Sequence, residues 1–180
     1  MEARKLENYS YEDYLTIDKT THEDEMIELI FGEIYMMSGA SAKHQDIVGN
    51  IYYQVKTKNK NKKCKARIAP YDIKIQNKND ISVVQPDVMI VCQDKELPCA
   101  VFEVLSPSTA SKDKGVKKDL YELSGIKEYY IINSDLKIID KYTLDNGRYY
   151  YVKGYSGDDS ITIDCVDVDI IVDDIFEDIG

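Results

Sequence analysis

A mixed α/β fold is what this 180-residue sequence predicts, on three observations. Short runs of strand formers alternate with two amphipathic helical stretches, which is the pattern of a sheet flanked by helices. The last quarter of the chain reads as consecutive hairpins. A hydrophobic content of 43%, with fifteen Tyr and no Trp, is enough to close one core. We therefore expect a single domain over residues 1–180, with a core of about 25–135 and an antiparallel extension with an acidic stretch over 136–180.

Taken in order, Ser10 with Asp13 three residues later forms a helix start. Met26 to Met37 is rich in strand formers around Gly32, so it reads as a strand or hairpin, and Glu33 is an acid within it. From Ala42 to about Thr57, Ile47, Val48, Ile51, Tyr52 and Val55 recur at three and four, the stripe of a helix that packs on the sheet. Arg67 to Ile75 reads as a strand, and Asn77-Lys78-Asn79-Asp80 as a turn. Two strands follow, one carrying Asp87 and one carrying Glu103. Ser106-Pro107 breaks the second, and Ser111 to Ser124 is a helix with Val116, Leu120 and Leu123 inward and Gly125 as its C-cap. Glu128 to Asn133 is the next strand. Lys137 to Leu144, Arg148 to Lys153 and Ser160 to Val166 are antiparallel strands joined by Asp145-Asn146-Gly147 and Ser156-Gly157-Asp158-Asp159.

No segment has the roughly 18 apolar residues of a membrane span, and the first seven residues lack a signal-peptide apolar core, so a soluble cytoplasmic protein is expected. Cys64, Cys92, Cys99 and Cys165 form no CxxC pair and have no histidine at zinc-finger spacing, which predicts free thiols. With only His22 and His44, mechanisms needing several imidazoles are excluded.

The net charge of −10 is unevenly spread: residues 158–180 hold nine acids and no base, leaving 23 bases against 24 acids elsewhere. Between Lys56 and Arg67 there are seven bases and no acid, so Lys56, Lys58, Lys60, Lys62 and Lys63 are candidate phosphate contacts, with a solvated helix end as the other account. Along the acidic stretch, alternating apolar residues from Ile161 to Val172 suggest an edge strand that docks a second subunit.

The chemistry lies in two acids placed where apolar residues belong. Asp87 follows Pro86 and precedes Val88-Met89-Ile90-Val91, and Glu103 sits in Ala100-Val101-Phe102-Glu103-Val104. A carboxylate in such a run is costly without a cation, so a shared divalent metal, Mg2+ or Mn2+, is expected, with a bound water as the attacking group for phosphodiester hydrolysis. In the following helix Asp113, Lys117 and Tyr121 stand at i, i+4 and i+8, one line that can face the sheet end. Lys117 there would stabilise the phosphorane, with Asp113 holding its ammonium. An ordinary helical ion pair is the alternative.

In sequence order, Pro86-Asp87, Glu103-Val104-Leu105-Ser106-Pro107-Ser108-Thr109, then Asp113, Lys117 and Tyr121, then Gly125 to Ile132, resembles the bacterial putative restriction endonuclease family (Uma-type) of the PD-(D/E)XK nuclease superfamily. More weakly, Gly32-Glu33-Ile34 with Ser41 and His44 resembles its N-terminal strand and helix. The resemblance implies a restriction-endonuclease-like core and Mg2+-dependent DNA cleavage. It makes Asp87 and Glu103 metal ligands and catalytic residues, adds Glu33 as a further acid near the metal, and gives Asp113, Tyr121 and His44 supporting roles. DNA is then the partner and a homodimer the expected assembly. The superfamily lysine two residues after the Glu is Leu105 here, so Lys117 takes its place. Two other classes stay open: a nuclease-fold module that binds nucleic acid or protein without turnover, and a hydrolase of small phosphate esters.

Overall fold

The computed structural model describes residues 8–20, 26–37, 39–60, 63–77, 80–93 and 95–179; His22 and Lys62 lie outside the described residues. Helix α1 (Tyr11–Thr20) begins with a reciprocal cap, Ser10 N–H donating to the Asp13 carboxylate and Asp13 N–H donating to Ser10 Oγ. Strands β1 (Met26–Ile30) and β2 (Glu33–Met37) form a hairpin whose two turn residues, Phe31 and Gly32, both have positive φ. Gly32 suits this turn through its positive φ, and a Cβ there would also displace the Asn8 side chain.

Helix α2 (Ala42–Lys58) leads to β3 (Cys64–Ile68), β4 (Ile73–Asn77), β5 (Asp80–Val84), β6 (Val88–Cys92) and β7 (Ala100–Val104). The predicted helix after β7 is present in three parts: α3 (Ala110–Lys112), a π-helical turn (Asp113–Lys117) and α4 (Lys118–Ser124), closed by Gly125 in the left-handed conformation. Strands β8 (Glu128–Asn133), β9 (Ile138–Asp145), β10 (Arg148–Tyr155), β11 (Ser160–Ile163) and β12 (Val168–Ile171) and the short α5 (Val172–Ile175) complete the chain.

Three sheets result. The central one has six strands in the order β10-β9-β8-β7-β6-β3, with β7 and β8 parallel and the other neighbours antiparallel, so the predicted mixed sheet flanked by helices is observed. A four-stranded antiparallel sheet runs β2-β1-β5-β4, and β11-β12 form a separate hairpin. Residues 138–155 thus continue the central sheet, and the separate C-terminal unit begins at β11.

Strands β6 and β7 are buried on both faces, as central strands are. Val88, Ile90 and Phe102 join Ile47, Ile51 and Val55 of α2 and the C-terminal hairpin in one core; Met89 and Val101 join Tyr129, Leu120 and Tyr121 in the other. Phe102 stacks on Tyr130 at 4.3 Å between centroids. Burial of each such side chain contributes roughly 1.5–3 kcal/mol.

Three expectations are corrected. Arg67 to Ile75 is not one strand: it holds the end of β3 and the start of β4, which lie in different sheets. Leu123 is 67% exposed rather than inward, because helix α4 turns Leu120 and Tyr121 to the core instead. The cysteines are not free: Cys64 is bonded to Cys92 and Cys99 to Cys165, since strand pairing brings together positions that sequence spacing keeps 28 and 66 apart. Among the described residues no helix is long and apolar enough to cross a membrane.

Candidate active site

Strand pairing sets the centre of the site. In the antiparallel β6–β7 ladder Val88 faces Phe102 and Met89 faces Val101, so the register extended by one residue puts Asp87 opposite Glu103. Pro86 has no N–H to give to the ladder, which frees the chain to turn there and aim Asp87 across at β7. Asp87 Oδ2 accepts hydrogen bonds from Val104 N–H at 2.7 Å and faces His44 Nε2 at 3.1 Å. His44 reaches it from the first turn of α2, where Ser41 Oγ caps the His44 N–H. Glu103 is buried, and its Oε1 accepts from Tyr121 Oη at 2.7 Å and from Lys117 Nζ at 3.0 Å.

The π-helical turn carries the lysine. Its wider winding places both Asp113 and Lys117 inward. Lys117 Nζ lies 2.9 Å from Glu28 Oε1, 3.0 Å from Glu103 Oε1 and 3.8 Å from Asp113 Oδ1. Glu28, on β1, is fully buried; its other oxygen takes Lys112 Nζ at 2.5 Å, and Gln85 N–H donates to Oε1 at 2.9 Å. Glu28 therefore orients the ammonium more closely than Asp113 does.

Asp87, Glu103, Asp113, Lys117 and His44 thus meet along one cleft of about 900 Å³, whose lining also includes Lys43 and Lys114. Glu33 does not join them. It is an exposed residue at the start of β2, bonded to Tyr35 Oη at 2.7 Å, because the Phe31–Gly32 turn carries it away from the site that its neighbour strand supplies. The acid from this hairpin is Glu28, which the sequence reading passed over. The signal was there: Met26-Ile27-Glu28-Leu29-Ile30 is an acid inside an apolar run, the same pattern that singled out Asp87 and Glu103. Lys56, Lys58, Lys60 and Lys63 are exposed around the C-terminal end of α2 and the approach to β3, about 20 Å along the helix from the Ser41 end that borders the cleft. Lys58 donates to Gln54.

The electrostatics are those of crowded acids. Burial pushes the Glu103 carboxyl up to about 8; Lys117 opposes this, while Asp113, Asp87 and Glu28 add to it. Burial also raises Asp113, against the pull of Lys117. Glu28 moves the other way: burial raises it, but Lys117 and Lys112 outweigh that and hold it below the usual range. Burial would lower Lys117, yet Glu103, Glu28 and Asp113 keep it raised and charged. Burial lowers His44 too, and the bond to Asp87 more than reverses it.

These residues suit a hard divalent cation by chemistry. The donors are carboxylate oxygens, Asp113, Asp87 and Glu28 crowd negative charge around the buried Glu103, and Asp113 Oδ1 is buried without a hydrogen-bond partner. Among the described residues no three His, Cys, Asp or Glu side chains form a ready-made cage. Mg2+ does not need one, since it binds through one or two carboxylates and keeps waters or phosphate oxygens.

Over residues 11–172 the chain matches the Uma2 family model, described as putative restriction endonuclease. It is 28% identical over 176 residues to an uncharacterised protein of Synechocystis sp. PCC 6803, across 93% of this chain and 90% of that one. The crystal structure of a putative nuclease belonging to DUF820 from Anabaena variabilis shares the fold, with a TM-score of 0.71 at 17% identity over 93% of this chain and 97% of the other. With the family model spanning all but the ends of the chain and a nuclease-like mixed sheet beneath it, this protein belongs to the Uma2 family of putative restriction endonucleases.

Proposed function

We propose that the protein is a metal-dependent DNA endonuclease that hydrolyses phosphodiester bonds. The observation that carries this reading is the juxtaposition of Asp87 and Glu103 across β6 and β7 with the Lys117 ammonium on Glu103, at the wall of an open cleft. Asp87 and Glu103 would hold Mg2+ or Mn2+, which supplies a coordinated water of lowered pKa and neutralises phosphoryl charge. Val104 N–H and His44 fix the Asp87 carboxylate, leaving Oδ1 to the cleft. Lys117, held charged by Glu103 and Glu28, offers positive charge to the phosphorane. Lys43 and Lys114 line the path of a phosphate backbone. A cytoplasmic homodimer, able to cut both strands, completes the proposal.

One observation favours a second reading, a module that binds without turnover. Leu105 stands at the usual lysine position, and Lys117 is already engaged by two buried carboxylates. Incubation of supercoiled plasmid and single-stranded DNA with Mg2+, Mn2+ or EDTA separates the two. Metal-dependent nicking that disappears in Asp87→Ala and Glu103→Ala supports the nuclease. Salt-sensitive DNA binding with no cutting in any metal supports the module.

A further inference from the structure

The four cysteines come from four separate segments and meet at one place. Cys64 opens β3 and Cys92 closes β6, directly opposite one another in the antiparallel pair and joined by a disulfide with Cα atoms 3.9 Å apart. Cys99 precedes β7, and its partner Cys165 follows β11, with Cα atoms 6.2 Å apart. The two disulfides touch: Cys92 Sγ and Cys99 Sγ are 3.9 Å apart. Cys64 is buried, while Cys92, Cys99 and Cys165 are partly exposed on the rim of the core that α2 and the C-terminal hairpin share.

Among the described residues, Cys99–Cys165 is the one disulfide between the central sheet and the β11–β12 hairpin, which the chain itself also joins through residues 156–159. The other ties are apolar packing, the Lys141–Asp164 ion pair and hydrogen bonds. Asp164 N–H and Cys165 N–H donate to Glu128, Gln54 exchanges two bonds with Ile171, and Asn50 donates to Ile175 O and Glu177 O. Two of these ties end on α2, the helix whose first turn presents His44 to Asp87.

We infer that the four sulfurs form a thiol–disulfide exchange site, with low-molecular-weight thiols as its substrate class, which transfers the covalent link off the C-terminal hairpin. Two thiols RSH reduce Cys64–Cys92, giving two cysteine thiols and RSSR. The Cys92 thiolate then attacks Cys99 Sγ; a Cys92–Cys99 bond forms, the Cys99–Cys165 bond breaks, and Cys165 leaves as a thiolate that takes up the proton Cys92 lost. This second step consumes no electrons, and the sulfur contact at 3.9 Å puts nucleophile and target side by side. The crosslink passes from one joining residues 66 apart to one joining residues 7 apart, inside the β6–β7 connection. The hairpin is then held by the chain at 156–159, its hydrogen bonds, the Lys141–Asp164 ion pair and its apolar face, with no disulfide. Disulfides of intracellular proteins are mostly of this transient or redox-sensing kind.

The test uses the full chain, alkylated and mapped by mass spectrometry without reduction. In Cys64→Ser, Cys92 is a thiol next to the intact Cys99–Cys165 bond. A Cys92–Cys99 linked peptide with alkylated Cys165 is expected, with Cys165 alkylation roughly tenfold above that in Cys64→Ser/Cys92→Ala, which lacks the attacking thiol. In wild type, stepwise addition of dithiothreitol should produce the same Cys92–Cys99 peptide before all four cysteines are alkylated, a readout independent of how the variants fold. Cys99–Cys165 left intact beside an alkylated Cys92, or four alkylated cysteines in unreduced wild type, would overturn the inference.

Discussion

Among the described residues, a buried Glu–Lys–Tyr cluster borders the cleft and another lies away from it. At the far cluster, Glu128 accepts from Tyr130 Oη, Asp164 N–H and Cys165 N–H, and Lys141 donates to Thr162 O and Asp164 Oδ2 while lying 3.4 Å from Glu128. The bonds made by Asp164, Cys165 and Thr162 pin the C-terminal hairpin to β8 and β9. In the cluster at the cleft, Glu28, Asp87, Glu103 and Asp113 surround Lys112, Lys117 and His44, Asp113 Oδ1 and His44 Nδ1 are buried without hydrogen-bond partners, and Glu103 is pushed up by burial and by its acidic neighbours. A buried charge cluster that serves the fold closes its own hydrogen bonds. One that serves chemistry keeps unmet capacity aimed at something that arrives later.

The sharpest break between the two should come from Asp87→Ala, expected to lower plasmid nicking by about 10²–10³-fold while urea denaturation moves little, since Asp87 is only partly buried. Lysine truncation comes next. Lys117→Met and Lys141→Met each strand a buried carboxylate and should each cost about 3–5 kcal/mol in urea denaturation. Only Lys117→Met should also abolish cutting at a temperature where both variants are folded; equal loss of activity in Lys141→Met would erase the distinction.

The response to pH separates Glu103 from Glu28. A carboxyl raised to about 8 in the folded protein binds a proton that the unfolded chain, near 4.3, releases earlier, so stability falls as pH rises between those values. Chemical denaturation of wild type should show that decline from pH 5.5 to 8.5, and Glu103→Gln should flatten it. Glu28 has the opposite sign. Its depressed value contributes stability that is present above about pH 4.3 and lost as pH falls through the folded value, so Glu28→Gln should shrink the acid limb of the same curve.

Smaller effects concern the surfaces. Lys43→Ala and Lys114→Ala, at the cleft, should each reduce the salt slope of DNA binding by about 1, measured by fluorescence anisotropy. Lys56→Ala and Lys58→Ala, at the far end of α2, test whether DNA extends that far; an equal change there would restore the basic stretch to the interface. Glu33→Ala should change nicking less than twofold, as roughly expected of an exposed side chain away from the centre.

Much of this was legible before the structure. Asp87 and Glu103 stand out because burial and charge conflict in their strands, and Lys117 because helical spacing aligns it with Tyr121. Glu28 carried the same conflict but lost to Glu33, whose neighbouring Gly32 drew attention to a turn that in fact leads away from the site. The disulfides were invisible because pairing depends on which strands become neighbours, not on spacing along the chain. Leu123 is exposed because Leu120 and Tyr121 of α4 take the buried face, and Tyr121 was read as a site residue and not as core.

The π-helical turn between α3 and α4 has an evolutionary reading. A π-helical turn is an α-helix that has absorbed one extra residue, and here the extra residue falls in Asp113-Lys114-Gly115-Val116-Lys117. Loss of one residue in that stretch would let the helix rewind, rotating everything before it by about 100° relative to Leu120 and Tyr121. A Cβ at Gly115 would meet open space, so Gly115→Ala costs no steric clash there. A change of length does not go unfelt in the same way, and the stretch between Thr109 and Tyr121 is where descendants of this chain would have to keep count.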